Sequence, residues 1–255
     1  MADRITIEKN TPGWFDLSTA DPEGSRTFYS KLFGWTADVI PDPQAGGYGF
    51  FNLDGKMVGG VGPVQSKDQP TAWASYIHVS DAAGTVAKAR QAGGNVLVEP
   101  MDVMGQGKMA IIADPSGAVI GVWQPAEHQG VQVKDVPGSA SWIELHSSDV
   151  NKAKAFYGSV FGWGTHDSDM GGMPYTEFKI GDASIAGGTP LRQGEENVPS
   201  HWLVYFAVAD VDATTKQAQE LGASALVPAM DFPGGRFSVI RDPEGAVFGL
   251  LRLTG

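Results

Sequence analysis

The feature that most constrains this 255-residue chain is that its second half repeats its first. Matching motifs lie 128 positions apart and keep the same order: Trp14-Phe15-Asp16-Leu17 with Trp142-Ile143-Glu144-Leu145, Asp21 with Asp149, Phe28-Tyr29 with Phe156-Tyr157, and Phe33-Gly34-Trp35 with Phe161-Gly162-Trp163. The register drifts by one residue in mid-copy and returns at Asp114-Pro115-Ser116-Gly117 and Asp242-Pro243-Glu244-Gly245. A collinear series of this length indicates duplication of a domain-sized unit.

Each half is long enough to fold as a domain, and a hydrophobic content of 42% supplies two cores. We predict a first domain over residues 1–126 and a second over residues 139–255. The segment 127–138 is polar and is flanked by Pro125 and Gly138, which is typical of an exposed linker.

Within each copy, a strand, a helix and several strands occur twice. Residues 14–19 and 142–147 alternate as short strands, and the helices predicted over 22–32 and 150–160 follow an aspartate that can accept hydrogen bonds from free amides. The Phe-Tyr pair in each of these helices has apolar neighbours at helical spacing, which predicts core packing. Asp-Pro-x-Gly predicts a turn before the last strand. The chain therefore consists of four βαβββ units.

This order of motifs resembles the vicinal oxygen chelate (VOC) superfamily, specifically its two-domain glyoxalase/bleomycin-resistance-like members. The resemblance covers nearly the whole chain. It implies an α+β fold of two tandem glyoxalase/bleomycin-resistance-type domains, with four βαβββ units forming curved mixed sheets. In such a fold, the concave face of a sheet holds the ligand.

The resemblance also implies a divalent metal ion on three inward-facing His, Gln or Glu side chains. Spacing carries those positions to Trp14, Ala74 and Gly121 in the first copy. In the second copy they fall on Trp142, Leu203 and Gly249. None of these side chains offers the lone pairs that a divalent ion requires. We therefore predict that the usual metal site is lost and that no cofactor is bound, which argues against the metal-dependent chemistry of the family.

Polar side chains share the predicted inward face with the two tryptophans. An unpaired buried carboxylate is costly, so Asp16 and Glu144 should either form structural hydrogen bonds or line a wet ligand site, where either could act as a catalytic base. The predicted ligand-binding residues are those that strand alternation brings to this face: Trp14, Asp16, Tyr76, Trp142, Glu144, His146, His201 and Tyr205.

Three functions remain open at this point. The favoured one is metal-free binding of a small, partly aromatic organic molecule, such as an antibiotic, a metabolite or an aldehyde adduct. The second is a glyoxalase-like lyase, isomerase or dioxygenase that uses a carboxylate base or an irregular metal site on Glu144, His146 and His201. The third is a protein-interaction scaffold, which a sealed core without a cavity would favour.

The composition restricts partners and location. A formal net charge of −11 repels nucleic acids and anionic lipids, so neither is expected as a partner. No cysteine is present, and neither a signal peptide nor a long apolar run is recognised, so a cytoplasmic protein is expected. A monomer or a homodimer is expected, and the fusion favours the monomer because it supplies in one chain what single-copy relatives obtain by dimerising. Of the histidines, His128 is predicted in the linker and His166 in a loop.

Overall fold

The computed structural model describes residues 5–192 and 197–254. The first copy contains β1 (Pro12–Thr19), α1 (Pro22–Phe33), β2 (Thr36–Val39), β3 (Gly49–Leu53), β4 (Lys56–Pro63), β5 (Ala72–His78), α2 (Ala82–Gln91), β6 (Asn95–Asp102), β7 (Gly107–Ala113) and β8 (Val119–Pro125). The second copy contains β9 (Ala140–Ser147), α3 (Val150–Phe161), β10 (Gly164–Asp169), β11 (Pro174–Ile180), β12 (Ala183–Pro190), β13 (His201–Ala207), α4 (Val211–Glu220), β14 (Ser224–Phe232), β15 (Gly235–Arg241) and β16 (Val247–Leu253).

Each copy forms its own eight-stranded mixed sheet, so the βαβββ units pair within a copy. The strand orders are β2-β3-β4-β1-β5-β8-β7-β6 and β10-β11-β12-β9-β13-β16-β15-β14. At the centre of each sheet the opening strands of the two units run antiparallel, and each is parallel to the last strand of its own unit. The predicted α+β fold of tandem glyoxalase-type domains is confirmed.

Aspartate and glycine set the limits of α1 and α3. The side chains of Asp21 and Asp149 accept hydrogen bonds from the amides of Gly24 and Lys152, both at 3.0 Å, as the sequence predicts. Helix α1 ends at Gly34, whose φ of 73° is a left-handed conformation that glycine adopts without strain. The Phe-Gly-Trp motif is therefore a helix stop.

The helix-covered faces of the two sheets share one hydrophobic core. Phe28, Tyr29, Phe156 and Tyr157 are at most 5% exposed, which confirms the prediction that the Phe-Tyr pairs are core residues. None of the described helices is long and apolar enough to cross a bilayer.

Two buried hydrogen bonds join the copies reciprocally. The Tyr29 hydroxyl donates to Asp242 Oδ2 at 2.8 Å, and the Tyr157 hydroxyl donates to Asp114 Oδ2 at 3.1 Å. Both aspartates open an Asp-Pro-x-Gly motif. That motif is therefore more than a turn, because its carboxylate satisfies a tyrosine hydroxyl buried in the opposite copy.

The outer strand β10 carries no hydrophobic pattern. His166, predicted in a loop, lies on the polar strand β10, where it pairs with Glu177 of β11. That prediction is wrong because an edge strand is held by backbone hydrogen bonds on one side and needs no buried side chains to mark it in the sequence.

Candidate functional site on the concave sheet faces

The face of the first sheet that lies opposite the helices carries the predicted site residues. Alternation along β1 turns the side chains of Trp14 and Asp16 to this face and those of Phe15 and Leu17 to the opposite one. We call the face of Trp14 and Asp16 the concave face, after the shape that the family resemblance implies. Strand β5 places Tyr76 directly opposite Trp14. The three side chains predicted for the first copy are therefore brought together.

Two tyrosines hold the Asp16 carboxyl. The Tyr48 hydroxyl donates to Asp16 Oδ2 at 3.2 Å and accepts a hydrogen bond from Trp14 Nε1, also at 3.2 Å. Burial raises the pKa of the Asp16 carboxyl to about 6, although hydrogen bonds from Tyr48 and Tyr76 oppose the rise. Asp16 is thus poised between its neutral and ionised forms close to neutral pH.

The second sheet repeats this arrangement around Glu144. The Tyr205 hydroxyl donates to Glu144 Oε1 at 3.1 Å, and Trp142 Nε1 donates to the Tyr175 hydroxyl at 3.0 Å. A carboxylate between two tyrosines, with a tryptophan bound to one of them, is therefore common to both copies.

A histidine pair distinguishes the second copy. His146 Nε2 lies 3.0 Å from Glu144 Oε1, but outside the alignment of a linear hydrogen bond, and the His146 ring stacks on His201 with centroids 5.0 Å apart. Burial alone would raise the pKa of Glu144, but His146 together with Tyr175 and Tyr205 holds it below its usual value. The pKa of Glu144 is therefore shifted in the opposite direction from that of Asp16.

Four glycines make room for the four tyrosines. A Cβ at Gly60 or Gly187 would lie 2.0 Å from the hydroxyl oxygen of Tyr48 or Tyr175, respectively. A Cβ at Gly121 or Gly249 would lie 2.1 Å or 2.0 Å from the ring of Tyr76 or Tyr205. The repeated glycines therefore allow the tyrosine side chains to reach the carboxylates.

We expect Gly249→Ala to lower the free energy of unfolding by about 1–3 kcal/mol, the usual cost of adding a methyl group to a closed core. The new methyl would force the Tyr205 ring away from Glu144. Urea denaturation measures the change. Gly164→Ala is the control, because a Cβ at Gly164 meets its nearest atom at an ordinary 3.8 Å. Equal effects of the two substitutions would contradict the packing argument.

The metal positions carried over from the resemblance do not form a metal site. Trp14, Ala74 and Gly121 offer no free lone pair, and the Tyr76 ring fills the space above Gly121. Strand pairing places Leu203 opposite Glu144, and the Tyr205 ring fills the space above Gly249. The residues present therefore do not fit the divalent ion that the fold family implies.

Glu144, His146 and His201, the predicted irregular metal site, lie close together, but not in the geometry of a metal site. His146 and His201 stack face to face with an interplanar angle of 7°, so their in-plane lone pairs do not converge on one point. His201 Nδ1 also lies 2.9 Å from the Pro199 carbonyl. Within residues 5–192 and 197–254, no group of three His, Asp or Glu residues is arranged to hold a metal ion.

Tyr48 and Tyr175 are site residues that the sequence analysis missed. Tyr48 precedes β3 and Tyr175 lies on β11, 127 positions apart, and the hydroxyl of each accepts a hydrogen bond from the tryptophan of the first strand of its copy. Their recurrence together with Gly60 and Gly187 is the signal that could have identified them.

Two small cavities of the described chain lie where the copies meet. One of about 60 Å³ is lined by Phe28 and Asp242, and a more open one of about 170 Å³ by Phe33 and Val208. Both are smaller than the ~300 Å³ that encloses a drug-sized ligand.

The fold and the site define a duplicated protein in which each mixed sheet carries a carboxylate between two tyrosines. The model of the Glyoxalase/Bleomycin resistance protein/Dioxygenase superfamily matches residues 11–122 and 139–250. The chain belongs to this superfamily.

Relatives are similar over nearly their whole length. The "Anthracycline biosynthesis protein DauV" of Streptomyces sp. (strain C5) is 40% identical over 256 residues, covering 95% of this chain and 93% of that protein. The "Putative glyoxylase CFP32" of Mycobacterium tuberculosis (strain CDC 1551 / Oshkosh) is 37% identical over 259 residues, covering 99% of this chain and 98% of that protein. A Mn(II)-bound glyoxalase from Novosphingobium aromaticivorans shares the fold with a TM-score of 0.65 at 18% identity, covering 95% of this chain and 81% of that one.

Proposed function

We propose that this protein binds a small, partly aromatic organic molecule on a concave sheet face without a metal ion. The observation that carries the proposal is the replacement of the family's metal ligands by residues that cannot ligate, around a buried carboxylate held by tyrosines. Such a face offers aromatic walls and a few fixed polar groups, which is the usual composition of a small-molecule site.

The relatives support the aromatic part of the proposal. One relative at 40% identity is named for anthracycline biosynthesis, and anthracyclines contain fused aromatic rings. A flat ring system can stack against a tryptophan while its substituents reach the polar groups beside it. The tyrosine hydroxyls and the carboxylate of each sheet are groups of that kind.

Calorimetric titration of the chelator-treated protein with a sulfonated anthraquinone tests the proposal. We expect binding in the micromolar range that is the same with EDTA and with added Mn²⁺. The control ligand is a sulfonated cyclohexane, which carries the same charge without the flat rings. Binding that required the metal ion would overturn the metal-free proposal, and equal binding of the control ligand would overturn its aromatic part.

A further inference from the structure

The linker crosses one end of the first sheet. The amides of Ala126 and His128 both donate to the Gln106 carbonyl at 3.0 Å, just before β7. Further along, the amide of Val131 donates to the Gly13 carbonyl at 2.9 Å, and that of Gln132 to the Met57 carbonyl at 2.8 Å. Because β8, β5 and β1 lie between β7 and β4 in the sheet, residues 126–132 span these three central strands. We call this segment the strap.

The strap places an imidazole on the concave face. The His128 ring lies edge-on to Trp14 with centroids 4.3 Å apart, and its centroid is 5.5 Å from Trp123 and 5.7 Å from Phe50. Trp123 Nε1 donates to the His128 carbonyl at 2.9 Å, which fixes the strap above the ring. Three aromatic side chains of the first sheet therefore surround the His128 imidazole, a flat ring that belongs to the protein itself.

The second sheet differs at each of these walls. Strand register puts Glu177 at the position of Phe50 and Leu251 at the position of Trp123. Trp142 is partly exposed, whereas the equivalent Trp14 is only 3% exposed. In the part of the chain that the structure describes, no ring packs on Trp142 as His128 packs on Trp14.

The apolar side chains of the second concave face form a separate cluster. Leu203, Tyr205, Val239 and Leu251 pack with Phe237 apart from the shared core, whereas Trp14, Trp123 and Val131 of the first sheet are continuous with that core. The second face thus carries a separate apolar cluster beside Glu144, with the Arg192 guanidinium 5.8 Å from the centre of the Phe237 ring, whereas the first face is continuous with the core.

We propose that the ligand binds on the second sheet, because the strap's own imidazole occupies the matching place on the first. This inference rests on the proposed binding function. Glu144 gives the chemical class of the ligand: an ionised carboxylate beside apolar walls accepts a hydrogen bond from a neutral hydroxyl and repels an anion at that point. The ligand is therefore a hydroxylated aromatic ring system whose O–H reaches Glu144.

Two titrations test whether the protein recognises a hydroxyl group of the ligand and whether the ligand binds on the second sheet. We expect a sulfonated dihydroxyanthraquinone to bind at least tenfold more tightly than the same compound without hydroxyl groups, and with one equivalent per chain. Glu144→Gln should remove most of this tenfold preference, because an amide presents only one acceptor oxygen and no charge. Two equivalents on the unmodified chain, or a preference that survives Glu144→Gln, would overturn the inference while leaving the proposed function standing.

Removal of the imidazole tests the strap directly. We expect His128→Ala to raise the stoichiometry from one equivalent to two, and addition of Asp16→Asn to His128→Ala to weaken the second equivalent at least tenfold. Free imidazole should compete for the new site in His128→Ala. A single equivalent in folded His128→Ala would overturn the role of the strap. The Glu144→Gln titration decides the assignment to the second sheet even where His128→Ala does not fold. No binding of either anthraquinone by any variant would instead overturn the proposed function itself.

Discussion

Asp242→Ala is expected to lower the free energy of unfolding by about 3–5 kcal/mol, because it leaves several buried donors without an acceptor. Asp242 is 4% exposed, and its Oδ1 accepts hydrogen bonds from the amides of Glu244 at 3.0 Å and Ala246 at 2.8 Å. Its Oδ2 accepts the Tyr29 hydroxyl of the other copy. One substitution therefore damages a turn and a contact between the copies together.

Asp114 is the equivalent of Asp242 in the first copy, and the exposed Asp81 serves as a control. Asp114→Ala should cost a similar amount, because Asp114 binds its own turn amides and Tyr157 in the same way. Asp81→Ala removes an exposed helix cap that accepts one amide at 3.0 Å, and should cost about 1 kcal/mol. Urea denaturation of the three variants gives the comparison. Equal losses at Asp81 and Asp242 would show that burial and the contact between copies add nothing.

The repeat allowed the face of the central strands to be predicted, because duplication preserves inward and outward alternation, but it left open whether the βαβββ units pair within a copy or across the two copies. Trp14 and Asp16 were placed on one face by a period of two, and the structure has them there. The spacing to the turn aspartates likewise led to Gly121 and Gly249, where tyrosine rings now take the space. Both inferences needed only the alternation of side chains along a strand and the number of residues between two motifs.

Other features depend on contacts between distant parts of the chain, which no local pattern encodes. The acceptor of the Tyr29 hydroxyl lies 213 residues away, and His128 gains its role only when the linker folds back over Trp14. The role of Tyr48 also depends on such contacts, because its hydroxyl binds Asp16 in the space that Gly60 leaves on the adjacent strand. A buried tyrosine with no local acceptor is nevertheless a sequence signal for a distant carboxylate.

Lowering the pH is expected to change the contributions of His128 and Asp16 to the free energy of unfolding in opposite directions. Burial, with His78 nearby, lowers the pKa of His128 from 6.5 to about 4, so the unfolded chain binds a proton between these values that the folded chain does not. His128 therefore removes stability as the pH falls through that window. The pKa of Asp16 rises from 3.8 to about 6, so the folded chain takes up a proton first and Asp16 adds stability as the pH falls from 6 to 3.8.

Single variants separate these contributions. Relative to the unmodified chain at the same pH, His128→Gln should gain about 2–3 kcal/mol of unfolding free energy between about pH 7.5 and pH 4, and Asp16→Asn should lose a similar amount. Packing lost with either side chain is the same at each pH, and the remaining carboxylates are common to all three proteins. Chemical denaturation across this interval measures the two slopes. Slopes of the same sign would contradict the assignment, whereas opposite slopes would show that the strap histidine and the sheet aspartate offset each other, because burial favours the neutral form of both.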